Sequence, residues 1–184
     1  LAHGRVRFVG EPMAAVVADS PAAARAAADA VEVDYAELPA VVNPFVAMQP
    51  GAPVLCEQAP DNIAAEMRHG DAAATAAAFA RAAHTVTLDN DNQRLAPSPI
   101  EPRCVLAWVD GADGRLNLRL SSQMPTGIRG SVAAALPGLK PEQVRVQVGD
   151  VGGGFGMQTG VYPEDIAVAF AARALGRPVK WRAE

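Results

Sequence analysis

Cysteine is scarce in this chain. Cys56 and Cys104 stand far apart, neither in a CxxC pair nor beside a histidine, so the chain supplies no iron–sulfur or zinc framework of its own. Two isolated cysteines suit a reducing compartment, which leads to the expectation of a cytoplasmic protein. Histidine is equally sparse: His3, His69 and His84 are scattered, with no i, i+4 pair and no carboxylate cluster nearby, and read as surface or capping residues rather than metal ligands. Aromatic residues make up 5% of the sequence and the formal net charge is −4, so there is no basic field interleaved with stacking rings and nucleic acid is not an expected partner. Long apolar runs are missing too. The alanine-rich stretches 22–30 and 72–83 are broken by Arg25, Asp29 and Arg81 and read as helices, not membrane spans.

What is present is an ordinary balance for a folded chain: 184 residues, half of them hydrophobic and a fifth charged. The opening Leu1-Ala2-His3-Gly4 shows neither an initiating methionine nor a charged leader, and Gly176-Arg177-Pro178 leads from a helix stop into a strand-like end, so the chain reads as an internal piece of a longer protein. Alternation over Arg5–Val9, a turn at Gly10-Glu11-Pro12 and the apolar run Met13–Ala18 predict strand, turn and strand. Asp19-Ser20-Pro21 predicts a helix start, the alanines carry that helix to about Ala30, and Val31–Tyr35 returns to strand alternation. Residues 40–70 hold Pro44, Pro50, Gly51, Pro53 and Pro60 and read as an extended connection.

Asp71 then predicts the cap of an alanine-rich helix, and His84–Leu88 a strand. Two strand-like runs, Ile100–Val109 and Arg115–Ser121, flank the turn chemistry of Asp110–Gly114 and predict a hairpin. A helix over about Pro125–Leu136, a strand over Gln143–Val148 and a helix over Pro163–Leu175 with its stop at Gly176 complete the pattern. The expected class is α+β.

The most unusual stretch is Gly149-Asp150-Val151-Gly152-Gly153-Gly154-Phe155-Gly156, directly after an apolar strand. Glycines there allow close approach of a ligand to the backbone, positive φ without strain, and successive N–H groups turned toward an anion, although glycine runs are more often plain tight turns. Two common nucleotide signatures fail on spacing. No Gly-Lys-Ser or Gly-Lys-Thr follows, and a G-x-G-x-x-G frame started at Gly152 or Gly154 ends on Met157 or Thr159. A different anionic cofactor fits better than NAD or ATP.

Five segments, Val9–Ala18, Val31–Tyr35, Glu101-Pro102-Arg103, Ser121-Ser122-Gln123 and Val151–Gly156, together resemble, in order and approximate spacing, the large subunits of molybdenum hydroxylases of the xanthine dehydrogenase, carbon monoxide dehydrogenase and aldehyde oxidase family. The resemblance implies the end of an a/b hammerhead domain over residues 1–38, an extended linker over 39–70, and over 71–184 the first part of a molybdopterin-binding domain with a mixed sheet and packed helices. It implies an oxidoreductase that hydroxylates a small aldehyde, N-heterocycle or related carbon substrate with water-derived oxygen, using a molybdopterin-type molybdenum cofactor and passing electrons to iron–sulfur and FAD subunits or domains.

For single residues it implies that Gln123 donates an amide hydrogen bond to an oxygen ligand of the molybdenum without touching the metal. It also implies that the backbone N–H groups of Gly154, Phe155 and Gly156 meet the cofactor and its ligands, which would bring Gln123 and this loop close together. Read without the resemblance, Gln123 is a solvent-facing residue and Phe155 a ring anchoring the loop in a core. Glu101, between Pro99 and Pro102 with Arg103 next, reads as half of a structural ion pair. No catalytic residue is expected within the 184 residues, since the resemblance puts the catalytic glutamate later, and the isolated piece is expected to hold no cofactor and show no turnover. Met157-Gln158-Thr159 departs from the lysine and glutamate of purine-oxidising members, and the run into Val161-Tyr162-Pro163-Glu164 is closer to the carbon monoxide dehydrogenase-like branch. The rival readings are a nucleotide-dependent enzyme, already disfavoured by spacing, and a non-catalytic assembly or scaffold module whose glycine loop is only a turn.

Overall fold

The computed structural model describes residues 1–93 and 95–183. The chain divides into two compact units, one formed by Leu1–Glu32 with the residues from Leu95 onward, the other running from Val33 to the stretch before Leu95. Its helices and strands are, in chain order, α1 (Pro21–Asp29), α2 (Pro44–Ala47), α3 (Ala72–Arg81), β1 (Cys104–Val109), β2 (Leu116–Leu120), α4 (Pro125–Ala135), β3 (Val144–Gln147), α5 (Pro163–Leu175) and β4 (Val179–Arg182). The α+β class expected from the sequence is what the chain adopts.

The sheet belongs to the first unit and has the order β3-β2-β1-β4. β1 pairs antiparallel with both β2 and β4, whereas β2 and β3 are parallel, so the sheet is mixed. The β1–β2 turn closes through hydrogen bonds from Asp110 N to Arg115 O (2.8 Å) and from Gly114 N to Asp110 O (2.9 Å). The Asp110 and Asp113 carboxylates accept from Ala112 N and Arg115 N, and Gly114 takes φ +68°, a value that favours glycine.

Residues paired across a ladder point to the same side. Val105 faces Leu120 and Trp181, Ala107 faces Leu118 and Val179, and Leu116 faces Val144, so one face of the sheet carries the buried apolar set. Ile128, Val132, Ala133 and Leu136 from and just after α4, and Val168, Ala169 and Ala172 of α5, complete the core cluster with that face. α4 packs against β3, and α5 against β1 and β4. The parallel pair β2–β3 needs a crossover, and α4 is that crossover, so both strands end at the same edge of the sheet. That edge is where the glycine loop leaves β3.

Helix ends follow the chemistry read from the sequence. Ser20 accepts from Ala23 N at the start of α1, Asp71 from Ala74 N at the start of α3, and Gly176 ends α5 in the left-handed conformation. In the second unit the proline-rich stretch is organised rather than simply extended. Asn43 caps the short helix α2, and the Asn62 side chain accepts from Leu55 N (2.9 Å) while donating to Ala47 O (2.8 Å) and Pro53 O (3.0 Å).

Four expected strands are not present as ladders: Arg5–Val9, Met13–Ala18, Val31–Tyr35 and His84–Leu88 belong to no sheet, and Phe8 and Val9 lie in a turn. Alternation sets an extended backbone, but a strand exists only where a partner takes its N–H and C=O groups. Around the first pair the turn itself does form, with Gly10 at φ +88° and Glu11 N donating to Phe8 O (3.2 Å).

Leu118 is fully buried in the sheet face while Phe170 on α5 is 61% exposed. Leu118→Ala is therefore expected to lower stability to urea by about 2–5 kcal/mol, and Phe170→Ala to change it by less than about 0.5 kcal/mol. Equal losses in chemical denaturation of the two variants would contradict this placement of the core.

Candidate functional site

Gln123 follows β2 and the glycine loop follows β3, and because these strands are parallel the two segments emerge together at one sheet edge. The contact between them is direct. Gly156 N donates to Gln123 Oε1 at 3.1 Å, and Gln123 N donates to Gln158 O at 2.9 Å. Ser122 Oγ also donates to Gln158 O (3.3 Å) and accepts from Met124 N (2.9 Å) ahead of α4. A Cβ at Gly154 would lie 2.7 Å from Gln123 Cδ, closer than real side chains approach, so any side chain there would displace the Gln123 amide from the position seen here. The Gln123 Oε1 atom is held by a backbone donor, which fixes the amide's orientation and leaves Nε2 with no protein acceptor among the described residues.

The loop is shaped by its own backbone. Gly153 takes φ +112° and Phe155 φ +48°, Met157 N donates to Gly154 O (2.8 Å), and Thr159 Oγ1 donates to Gly156 O (2.8 Å). Phe155 is 76% exposed, so its ring does not anchor the loop in a core, the plain reading weighed for it above. Of the three N–H groups expected to face a ligand, that of Gly156 is engaged by Gln123, while Gly154 N and Phe155 N have no acceptor among the described residues.

Glu101 does not pair with Arg103. Its carboxylate accepts from Gly152 N (2.5 Å) and from Ser121 Oγ, and its own N–H donates to Gly152 O (3.4 Å). Glu101 thus fastens the entry of the glycine loop to the end of β2. Arg103 instead forms a two-pronged pair with Glu164 at 3.1 and 3.5 Å, and its guanidinium lies 3.7 Å from the Tyr162 ring centroid and 5.4 Å from that of Trp181. Tyr162 Oη donates to Met157 O (2.6 Å), so this stacked group fastens the exit of the loop.

Charge at this exit is tuned by burial and by Arg103. Burial alone would push the Glu164 carboxyl up, but the Arg103 hydrogen bond, a backbone hydrogen bond and the Arg103 charge outweigh it and hold Glu164 below the ordinary carboxylate range. Asp165 goes the other way. Burial raises it, the Tyr162 N–H and Arg103 offset only part of that, and Glu164 adds to the rise. Among the described residues no group of three or more His, Cys, Asp and Glu side chains could hold a metal ion.

The donor set is neutral: an oriented amide and two backbone N–H groups in a glycine-rich loop. Such groups suit an anionic, oxygen-rich cofactor that needs fixed donors rather than direct metal ligands, so the residues present fit a molybdopterin. Residues 55–184 match the family described as the molybdopterin cofactor-binding domain. The chain belongs to that family. Residues 1–39 match the a/b hammerhead domain of aldehyde oxidase and xanthine dehydrogenase.

Known relatives match along almost the whole of this chain. It is 37% identical to the carbon monoxide dehydrogenase large chain of Hydrogenophaga pseudoflava, over 98% of this chain and 24% of that relative. It is also 37% identical to the nicotine 6-hydroxylase large subunit of Paenarthrobacter nicotinovorans, over 98% of this chain and 22% of the relative. Among solved structures, a Cu,Mo-CO dehydrogenase in its carbon monoxide reduced state superposes with a TM-score of 0.76 at 36% identity, over 89% of this chain and 22% of that one. Quinoline 2-oxidoreductase from Pseudomonas putida 86 gives 0.76 at 32% identity, over 91% of this chain and 21% of that one. The chain thus spans between a fifth and a quarter of these molecules.

Sequence reasoning named Gln123 and the loop but missed Gln158, Tyr162 and the clasp made by Glu101. The only signal for the clasp was the recurrence of Glu101-Pro102-Arg103 beside the loop motif in the resemblance; nothing local announces a partner in Gly152. Because Glu164 is lowered, its pairing contributes stability that is present above the unfolded carboxylate pKa of about 4.3 and is lost as pH falls through the lower folded value. Glu164→Gln should therefore be less stable than the wild type at neutral pH, with the gap closing in acid. A stability difference that stays constant across that titration, read by denaturation at each pH, would contradict the pairing.

Proposed function

We propose that the full-length protein is a molybdenum-dependent hydroxylase and that this chain supplies one wall of its cofactor site. The supporting observation is the Gly156 N–H bond to Gln123 Oε1, which engages the amide oxygen and leaves Nε2 as the end of the amide still able to donate. Gln123 Nε2 would then hold the cofactor by donating to an oxygen beside the molybdenum, with Gly154 N and Phe155 N as further donors to it. When bound, the cofactor supplies the redox centre at which a substrate carbon is oxidised with water-derived oxygen. The chain's own residues orient it. None of these donors titrates in the working pH range, so their hydrogen bonds persist whatever the proton traffic of the reaction.

No acid or base in this chain is assigned to the reaction. Glu101 is engaged by Gly152 N and Ser121 Oγ, and Glu164 by Arg103, so both have structural partners within this chain. The substrate is a small aldehyde, N-heterocycle or related carbon compound, and Thr159 offers no carboxylate to bind a purine. In this reading residues 1–38 are the end of a hammerhead domain, 39–70 a linker and 71–184 the start of the cofactor domain. Electrons leave to iron–sulfur and FAD components, in keeping with the relatives named as large chains or subunits. No helix among the described residues is long and apolar enough to cross a membrane.

Gln123→Ala in the full-length protein should keep its molybdenum and lower turnover per bound molybdenum by about 10²–10³-fold, the usual loss of one oriented donor. Turnover at the wild-type level would contradict the role of Gln123. Wild-type protein purified without molybdenum or pterin would favour the scaffold alternative instead.

A further inference from the structure

Gln158 is 3% exposed, and neither its Nε2 nor its Oε1 has a hydrogen-bond partner among the described residues, which is costly for a buried amide. Its backbone carbonyl is doubly used, accepting from Gln123 N and Ser122 Oγ. Beside the side chain lies a cavity of about 10 Å³ whose lining includes Gln158, Ser121, Tyr162, Asp165 and Arg103. That volume is at the lower end of the roughly 10–15 Å³ a single water needs. The lining is also polar enough to hold one. Ser121 Oγ donates to Glu101 and Tyr162 Oη to Met157 O, so both hydroxyls keep lone pairs for an incoming donor.

We propose that one water molecule is a permanent part of this protein, bound in that cavity by the Gln158 side-chain amide and by at least one of Ser121, Tyr162 and Asp165. Three partners are typical for such a water, and the amide alone offers two donors and an acceptor. The burial that raises the Asp165 carboxyl also favours an added donor at its oxygens. The water joins three segments that the loop depends on: the end of β2 at Ser121, the loop at Gln158, and the start of α5 at Tyr162 and Asp165. Gln158 is then a positioning residue for Gln123, gripping it through its carbonyl and being held in turn through its amide. The water site itself does not rest on the cofactor reading, because every group in it belongs to this chain.

The test is a high-resolution structure of the full-length protein and of its Gln158→Met variant, which keeps the side chain's length and removes its polar atoms, together with amide hydrogen exchange at Gln123. The wild type should show an ordered water within hydrogen-bonding distance of Gln158 and of one further lining group. The variant should lose that water and exchange the Gln123 amide several-fold faster, as expected when a tie beneath a loop is removed. A dry cavity in the wild type, or a Gln158 amide bonded to a protein group instead, overturns the proposal, as does a water retained in the variant. If the variant does not fold, the wild-type structure alone decides between these outcomes. Loss of activity is not the readout, so failure of the water site and failure of the cofactor assignment are separately visible.

Discussion

The site depends on one contact: the backbone at Gly154 lies directly against the Gln123 side chain. A Cβ at position 154 would meet the Gln123 side chain well inside contact distance, in the position from which Gln123 Oε1 accepts from Gly156 N. The rest of the arrangement serves this approach. Parallel β2 and β3 bring the two segments to one edge, α4 spans between them, and Glu101 and Tyr162 clasp the two ends of the loop.

Neutral donors in such a place have a plain advantage. An amide fixed at its oxygen presents its N–H groups in one direction without the desolvation cost of a buried charge, and backbone N–H groups beside glycines can approach a ligand more closely than any side chain could. Charged residues are present nearby but are engaged elsewhere. Arg103 is matched by Glu164 and stacked on Tyr162, so its charge stabilises the loop exit rather than facing outward as a free cation.

Much of this was legible in the sequence, and unevenly so. Helix caps at Ser20 and Asp71, the stop at Gly176 and the Asp110–Gly114 hairpin were readable because their chemistry is local. The strands expected at Arg5–Val9, Met13–Ala18, Val31–Tyr35 and His84–Leu88 failed as ladders because pairing is not local; a period of two describes the backbone and not its partner. Glu101 was misread for the same reason. Its neighbour Arg103 suggested a pair, whereas its carboxylate accepts from Gly152 across the fold. Gln158 gave no signal at all, since a polar residue in a glycine-rich loop is ordinarily at the surface and here it is buried. Gln123 and the loop were found through resemblance, which also implied their closeness, and the parallel β2–β3 pair is what brings it about.

The measurement that bears most directly on this account is turnover per bound molybdenum, with an artificial electron acceptor, in the full-length Gly154→Ala variant. The added methyl group has no space beside Gln123, so the amide must move, and a displacement of that kind is expected to lower turnover on the order of 10²-fold and to alter the paramagnetic resonance signal of the molybdenum. Wild-type turnover with an unchanged signal would show that the close approach of Gly154 to Gln123 is not what the site depends on.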